Sequence, residues 1–220
     1  MARRPRPRTW GTKPTRQKWQ EEEGLFLKLD EAARLGRWLD AQIQATTAQP
    51  ATAWHPALRN AYAVRVLLRT GLRRFELCGL TCGGFDAPAA KLWVVGKGNK
   101  QDYVPLPPAA VATFVEWLGH KRTMGEPCEA DSPLFCGRAH ECMSFELLRK
   151  VWKRTLEQAG LPEYKLHATR HTAGLLVYAM THDLAKTARF LRHESVAVTE
   201  RFYLHIDTEQ LRQDLGGAWP

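Results

Sequence analysis

Three short segments of the chain combine residue types that could act on a phosphate group. In GLRRFEL, Arg73 follows a Gly-Leu turn and Glu76 lies one helical turn later; in GKGNK, Lys97 stands between two glycines. In HATR, His167 and Arg170 are three positions apart, which would place them on one helix face. Guanidinium groups fork onto phosphate oxygens, and imidazoles transfer protons near neutral pH. A lysine on a hairpin can reach a nucleic-acid groove or donate a proton.

A fourth segment, FLRHESVAVTERFYLHID, places His193 and Tyr203 ten positions apart on a stretch of helical periodicity. Taken singly, each segment also has an ordinary interpretation. Tyrosines on helices usually pack an apolar face, a lysine at a turn usually serves solubility, and an arginine with a nearby carboxylate is usually a surface ion pair. The chemistry therefore depends on whether the fold brings these segments together.

Composition favours a nucleic acid as the partner. The chain has 220 residues, 44% of them hydrophobic, which suits one globular domain with a core. The formal net charge is +9 and the pI is about 9.5, a balance typical of proteins that bind nucleic acid or an anionic membrane surface. No segment approaches the roughly 18 apolar residues of a membrane span, and the basic N-terminus lacks the apolar core of a secretory signal.

The first 20 residues form a basic segment of their own. They contain seven Arg or Lys, three prolines and no acidic residue, which predicts a solvated arm without a packed core. Such an arm is either a plain flexible tail or a contact to the phosphate backbone, and its composition leaves both open. The arginines concerned are Arg3, Arg4, Arg6 and Arg8.

Five cysteines, an odd number, indicate free thiols in a reducing compartment. The segment CEADSPLFCGRAHEC could supply zinc ligands from its three cysteines and His140. Its spacings match no paired CxxC pattern, so we expect no metal and no other cofactor.

Periodicity predicts a mainly α-helical domain with a small antiparallel β-sheet, the α+β class. Asp30 is the expected N-cap of the first helix, and a second helix ends at a turn on Gly71 before a short third one. Apolar runs at 92–95 and 103–106 flank a Gly/Asn/Lys turn, which predicts a hairpin. Six further helical segments follow, from PAAVATFVEWLGHKR to the tail TEQLRQDL.

Taken together and in this order, the segments resemble the tyrosine recombinases, also called the phage integrase family. The resemblance rests on GLRRFEL, GKGNK, HATR, LRH and RFYLH and covers about residues 25–207. It implies the tyrosine recombinase catalytic-domain fold and DNA cleavage and rejoining without metal or ATP. In this family a tyrosine attacks the scissile phosphate and forms a 3′-phosphotyrosine link.

The resemblance also implies a role for each candidate residue. Tyr203 would be the nucleophile and Lys97 the general acid for the 5′-oxygen. Arg73 and Arg170 would clamp the phosphate, His167 and His193 would handle protons, and Glu76 would support the arginines. The implied DNA contacts are Arg74, Lys100 and the four arginines Arg3, Arg4, Arg6 and Arg8.

The expected partners are double-stranded DNA and further copies of the chain, as a tetramer on DNA, with an accessory DNA-binding protein as a further candidate. The expected location is the cytoplasm, at the nucleoid. We expect an arm at 1–24, a catalytic domain at 25–207 and a tail with a docking helix at 208–220, with no separate core-binding domain.

Two alternatives and one irregularity remain open at this stage. The chain could bind DNA through this fold without cleaving it, or relax DNA as a type IB topoisomerase does. In many relatives the tyrosine follows the histidine by nine positions, and that position here is Phe202. One residue turns a helix face by about 100°, so the placement of Tyr203 needs a test.

Overall fold

The structure is a computed structural model that describes residues 26–48, 55–96, 101–137, 139–193, 195–197 and 199–200. Its helices are α1 (Leu29–Thr47), α2 (Pro56–Thr70), α3 (Arg74–Cys78), α4 (Pro108–Thr123), α5 (Phe145–Gln158), α6 (Ala168–Thr181) and α7 (Leu184–Leu191). The strands are β1 (Phe85–Asp86), β2 (Lys91–Val95) and β3 (Gln101–Pro105). The predicted class, mainly helical with a small antiparallel sheet, is confirmed.

Helix α2 lies at the centre of the domain and packs against α1, α4, α5 and α6. Pro56 stands in its first turn, where a missing N–H costs nothing, and Gly71 ends it in the left-handed conformation with φ 61°. Its buried side chains lie on more than one face, as a helix enclosed by others requires. They include Leu58, Tyr62, Val64, Val66, Leu67 and Leu68.

The three strands form one antiparallel sheet in the order β1-β2-β3. The register sets Leu92 opposite Val104, both fully buried, while Trp93 and Val95 point outward, so the side chains alternate as the pleat requires. The predicted hairpin is confirmed, although β3 begins two residues earlier than expected. Strand β1 has only two residues, too few to give a periodic signal.

The predicted N-cap of the first helix is wrong. Helix α1 begins at Leu29, and Lys28 is the capping residue. The Lys28 N–H donates to a carboxylate oxygen of Glu31 at 2.9 Å, so Glu31 satisfies the end of the helix from inside its first turn. Asp30 lies within that turn, where its charge still suits the positive helix terminus.

The five cysteines are free thiols. Within the described residues, no group of three or more His, Cys, Asp or Glu side chains is arranged to hold a metal ion. No helix in the same part of the chain is long and apolar enough to cross a membrane. The predicted helix around 196–205 is described only as far as Glu200, where Val196, Ala197, Thr199 and Glu200 are helical; the predicted tail helix lies outside the described residues.

Candidate active site

Four of the predicted residues come together where the beginnings of α3 and α6 meet the end of α7. Arg73 caps α3, His167 immediately precedes α6, and Arg170 lies in its first turn. His193 follows the left-handed residue that ends α7. Nearly a hundred residues separate the first of these positions from the second, so the convergence is a product of tertiary packing.

The Glu76 carboxylate is the anchor of this site. Its side chain is almost fully buried. One oxygen accepts from the Arg73 backbone N–H at 2.7 Å and from the Arg192 guanidinium at 2.6 Å; the other accepts from the Arg73 guanidinium at 3.0 Å. Because a buried carboxylate needs donors for both oxygens, Glu76 fixes the two arginines as they satisfy it.

Arg73 is held in place but remains open to an incoming group. Its side chain is 34% exposed, and besides Glu76 it donates to the Arg192 carbonyl at 3.3 Å. Arg170 is only 1% exposed and donates to the Gly71 carbonyl at 2.6 Å and to the Leu191 carbonyl. Those two carbonyls belong to the turns that end α2 and α7, so Arg170 ties both turns to α6.

His167 and His171 form an edge-to-face ring pair with centroids 4.7 Å apart. Burial lowers the pKa of His167, and the nearby charges of Arg170, Arg73 and Arg74 lower it further. Burial, together with His167, Arg170 and His193, lowers the pKa of His171 to about 4. Both rings are therefore neutral at pH 7 in the free protein, and a neutral imidazole can accept a proton.

His193 has its ring fixed by Thr199, whose hydroxyl oxygen lies 2.8 Å from Nδ1. Thr199 is fully buried within the helical stretch after His193. Burial, followed by the charges of Arg170, Arg73, His167 and Arg192, lowers the pKa of His193 to about 4. The contact also connects His193 to the segment that leads to Tyr203.

The arrangement suits an anion. The site holds three guanidinium groups and one buried carboxylate, which leaves an excess of positive charge beside neutral histidines. Arg73 and Arg192 pair with Glu76, and Arg170 donates to main-chain carbonyls. Arginine forks and imidazole donors match the oxygens of a phosphate. The exposed Arg74, at the start of α3, lies beside the same site.

The remaining predicted site residues lie outside the described part of the chain. These are Lys97, Lys100, Tyr203 and the N-terminal arginines Arg3, Arg4, Arg6 and Arg8. Strands β2 and β3, which flank residues 97–100, are described.

Sequence reasoning missed two residues of this site. His171 is not among the predicted site residues, yet it lies four positions after His167 and the two rings make an edge-to-face contact. That spacing alone could have revealed the pair. Arg192 stands inside the LRH segment that identified His193, but nothing local predicts that its side chain reaches Glu76, 116 positions away.

The chain is similar to known proteins over most of its length. The family model described as "Phage integrase family" matches residues 38–210. Tyrosine recombinase XerC of Bifidobacterium longum subsp. infantis is 31% identical over 169 residues, covering 74% of this chain and 47% of that protein. The XerC of Corynebacterium glutamicum is 28% identical over 213 residues, covering 92% of this chain and 68% of that one.

Among solved structures, the XerH site-specific recombinase bound to palindromic difH substrate, in a post-cleavage complex, has the same fold. The TM-score is 0.68 at 24% identity, over 89% of this chain and 53% of that one. The chain thus spans about half the length of the first relatives it matches.

Proposed function

The chain belongs to the phage integrase family, and on that premise we propose that it cleaves and rejoins DNA strands for site-specific recombination or integration. The observation that carries the proposal is the convergence of Arg73, Arg170, His167 and His193 at one site, where the buried Glu76 carboxylate holds Arg73. A protein that only binds DNA needs cationic surface, but it has no need for buried histidines held neutral beside arginines.

In the proposed reaction, the Tyr203 hydroxyl attacks the scissile phosphorus while the bond to the 5′-oxygen breaks. The tyrosine proton passes to a neutral imidazole, for which His167 is suited because burial lowers its pKa. Lys97 supplies the proton that the departing 5′-oxygen takes up. The result is a 3′-phosphotyrosine link that keeps the bond energy, so a second 5′-hydroxyl can attack and rejoin the strand without ATP.

The arginines stabilise the charge that builds up on the phosphate during this transfer. Arg73 is half-buried and preorganised by Glu76, so little reorganisation is needed when the phosphate arrives. Arg170 is positioned by two main-chain carbonyls. Because these carbonyls belong to the turns at Gly71 and Leu191, the positions of those turns determine where the guanidinium meets the phosphate.

We infer that double-stranded DNA is the substrate, with Arg74, Lys100 and the N-terminal arginines on its phosphates, and that the protein works in the cytoplasm at the nucleoid. The XerH recombinase, which shares this fold, is bound to its palindromic difH substrate in its structure. The net charge of +9 supports the same partner.

We propose that four copies assemble on two DNA duplexes, each placing residues 208–220 on a neighbour. The receiving surface is an apolar groove of about 720 Å³ between α1, α2, α6 and the turn at 105–109. Leu176 and Met180 stand partly uncovered on its α6 side, Met180 at 82% exposure. Leu211 and Leu215 could present an apolar face to it.

The decisive experiment is covalent trapping on nicked DNA. A library of nicked duplexes with a randomised core is incubated with the protein in EDTA, and products are resolved on a denaturing gel. The short strand released at the nick diffuses away, so a cleaved complex stays trapped. We expect a protein–DNA band from the wild type and none from Tyr203→Phe, while Tyr103→Phe, on an exposed strand position, keeps it.

A double variant tests the ten-residue spacing between His193 and Tyr203. Tyr203→Phe combined with Phe202→Tyr moves the one tyrosine hydroxyl of residues 193–205 to the position nine residues after His193. If Tyr203 is the nucleophile, the double variant stays inactive. A wild type that binds the library but gives no band would point to a DNA-binding protein, and a band that persists in Tyr203→Phe would mean another nucleophile. Relaxation of supercoils without strand exchange would favour the topoisomerase alternative.

A further inference from the structure

Arg192 adopts a backbone conformation that its residue type does not favour. It ends α7 with φ 54° and ψ 48°, in the left-handed region. A side chain in that region has a steric cost that a glycine would avoid. A residue kept here against that cost has a compensating interaction in the folded protein.

The compensating interaction is with Glu76. Although Arg192 lies in a turn, its side chain is only 8% exposed and its guanidinium donates to a Glu76 carboxylate oxygen at 2.6 Å. That oxygen also accepts the Arg73 backbone N–H. The Arg192 carbonyl in turn accepts from the Arg73 guanidinium at 3.3 Å. Arg192 therefore touches Arg73 from one side and the carboxylate that orients Arg73 from the other.

The same guanidinium reaches the sheet. Its Nε lies 4.0 Å from a carboxylate oxygen of Asp102 on β3. Strand β3 begins at Gln101, four positions after Lys97 in the chain. One side chain thus connects the end of α7, the start of α3 and the hairpin, the three elements that carry His193, Arg73 and Lys97.

We propose that Arg192 is a positioning residue for strand cleavage, an inference that rests on the proposed function. It holds Glu76 and Arg73 in a fixed position relative to the β2–β3 hairpin. It is not a phosphate ligand, because its guanidinium is already paired with two carboxylates, those of Glu76 and Asp102, whereas Arg73 keeps an exposed surface. Loss of Arg192 should therefore slow the chemical step and leave DNA affinity nearly unchanged.

The test compares Arg192→Gly with His182→Gly. Both residues end a helix in the left-handed conformation, so glycine removes the same backbone strain at both sites. Only Arg192 reaches the site. We expect single-turnover cleavage of the trapped library DNA to fall about 10- to 100-fold in Arg192→Gly, the range seen when a group that orients a site residue is lost. We expect no change in His182→Gly.

DNA affinity, measured by gel shift on the same DNA, should stay within about twofold of wild type in both variants, since no proposed phosphate contact is removed. Arg192→Lys retains the charge but not the fork, and an intermediate cleavage rate is expected. Arg192→Gly cleaving at the wild-type rate would overturn the proposal, because Arg192 would then be a helix cap only. A wild type that fails to cleave would instead overturn the proposed function.

A measurement without DNA separates failure of this proposal from failure of the proposed function. Rotation of an arginine's NH2 groups slows when both are held in hydrogen bonds, and nitrogen-15 NMR detects it. The Arg73 signal is assigned by its loss in Arg73→Lys. We expect the NH2 groups of Arg73 to rotate faster in Arg192→Gly and to keep their slow rotation in His182→Gly. An Arg73 signal that Arg192→Gly leaves unchanged would show that Arg192 does not position it.

Discussion

At the residue scale, the site is defined by which side chains are charged and which are kept neutral. Glu76 and main-chain carbonyls hold the arginines by accepting hydrogen bonds from them, while burial and these same arginines keep the histidines unprotonated. A positive site with neutral imidazoles can bind a phosphate and still accept a proton. Binding an anion would offset the arginine charges and raise the pKa values of His167 and His193.

The buried histidines give the protein a pH-dependent stability. The pKa of His171 is about 4 in the folded state against an ordinary 6.5, so the unfolded state binds more protons between these values. The contribution of His171 to the free energy of unfolding should therefore be complete above pH 6.5 and fall as the pH drops toward 4. We expect His171→Gln to flatten this dependence by up to about 1.4 kcal/mol per pH unit in urea titrations.

His182→Gln, at an exposed position, is the control and should keep the wild-type slope. Some slope should remain in His171→Gln, because the pKa of His193 is also lowered to about 4. An unchanged slope would show that the pKa of His171 is the same in the folded and the unfolded protein.

At the scale of elements, the site depends on how closely α2, α6 and α7 approach one another at the turn on Gly71. A Cβ on Gly71 would lie 3.0 Å from Leu191 and 3.3 Å from Ala173, closer than side chains normally pack. The carbonyl of the same residue accepts from Arg170. One glycine thus sets the spacing of three helices and the position of a predicted catalytic arginine.

We expect Gly71→Ala to destabilise the protein by about 2 to 4 kcal/mol, the sum of left-handed strain and overpacking. Gly125→Ala is the matched control, because Gly125 has a similar φ of 69° but nothing within 4 Å of the added Cβ. It should cost only the strain, about 1 to 2 kcal/mol. Equal losses of unfolding free energy in urea would mean that the helices can separate to accept the methyl group.

At the scale of the whole molecule, the domain exposes an apolar surface that its own described residues leave uncovered. The groove beside α6 is lined mostly by apolar side chains and includes Met180 and Leu176. Exposed apolar patches on soluble domains commonly mark protein interaction sites. In the proposed assembly, the tail of a neighbouring copy covers it.

Met180→Asp should weaken assembly on DNA without unfolding the monomer, because Met180 is 82% exposed and the charge would face the docked tail. We expect at least about a tenfold loss in the fraction of DNA in complexes larger than one protomer per site, measured by native gel and light scattering. Phe145→Asp, at another exposed apolar residue, is the control. Equal assembly by Met180→Asp and wild type would show that the groove is not part of the interface.

Residue types and their order were enough to predict the chemistry, the family and the sequence of helices around a hairpin. Local periodicity and capping residues carry that information because they act over a few positions, as at Gly71, where α2 ends. Where the local signal was ambiguous, as at Asp30, or too short, as in β1, prediction failed.

Only the tertiary structure decided which groups hold the site residues. Arg170 is bound by carbonyls 99 and 21 positions away, and Arg192 reaches a carboxylate 116 positions away. The lowered pKa values of His171 and His193 likewise arise from burial and from arginines brought near by folding. Distance in space, burial and main-chain partners depend on how whole helices pack, and a short stretch of sequence does not encode them.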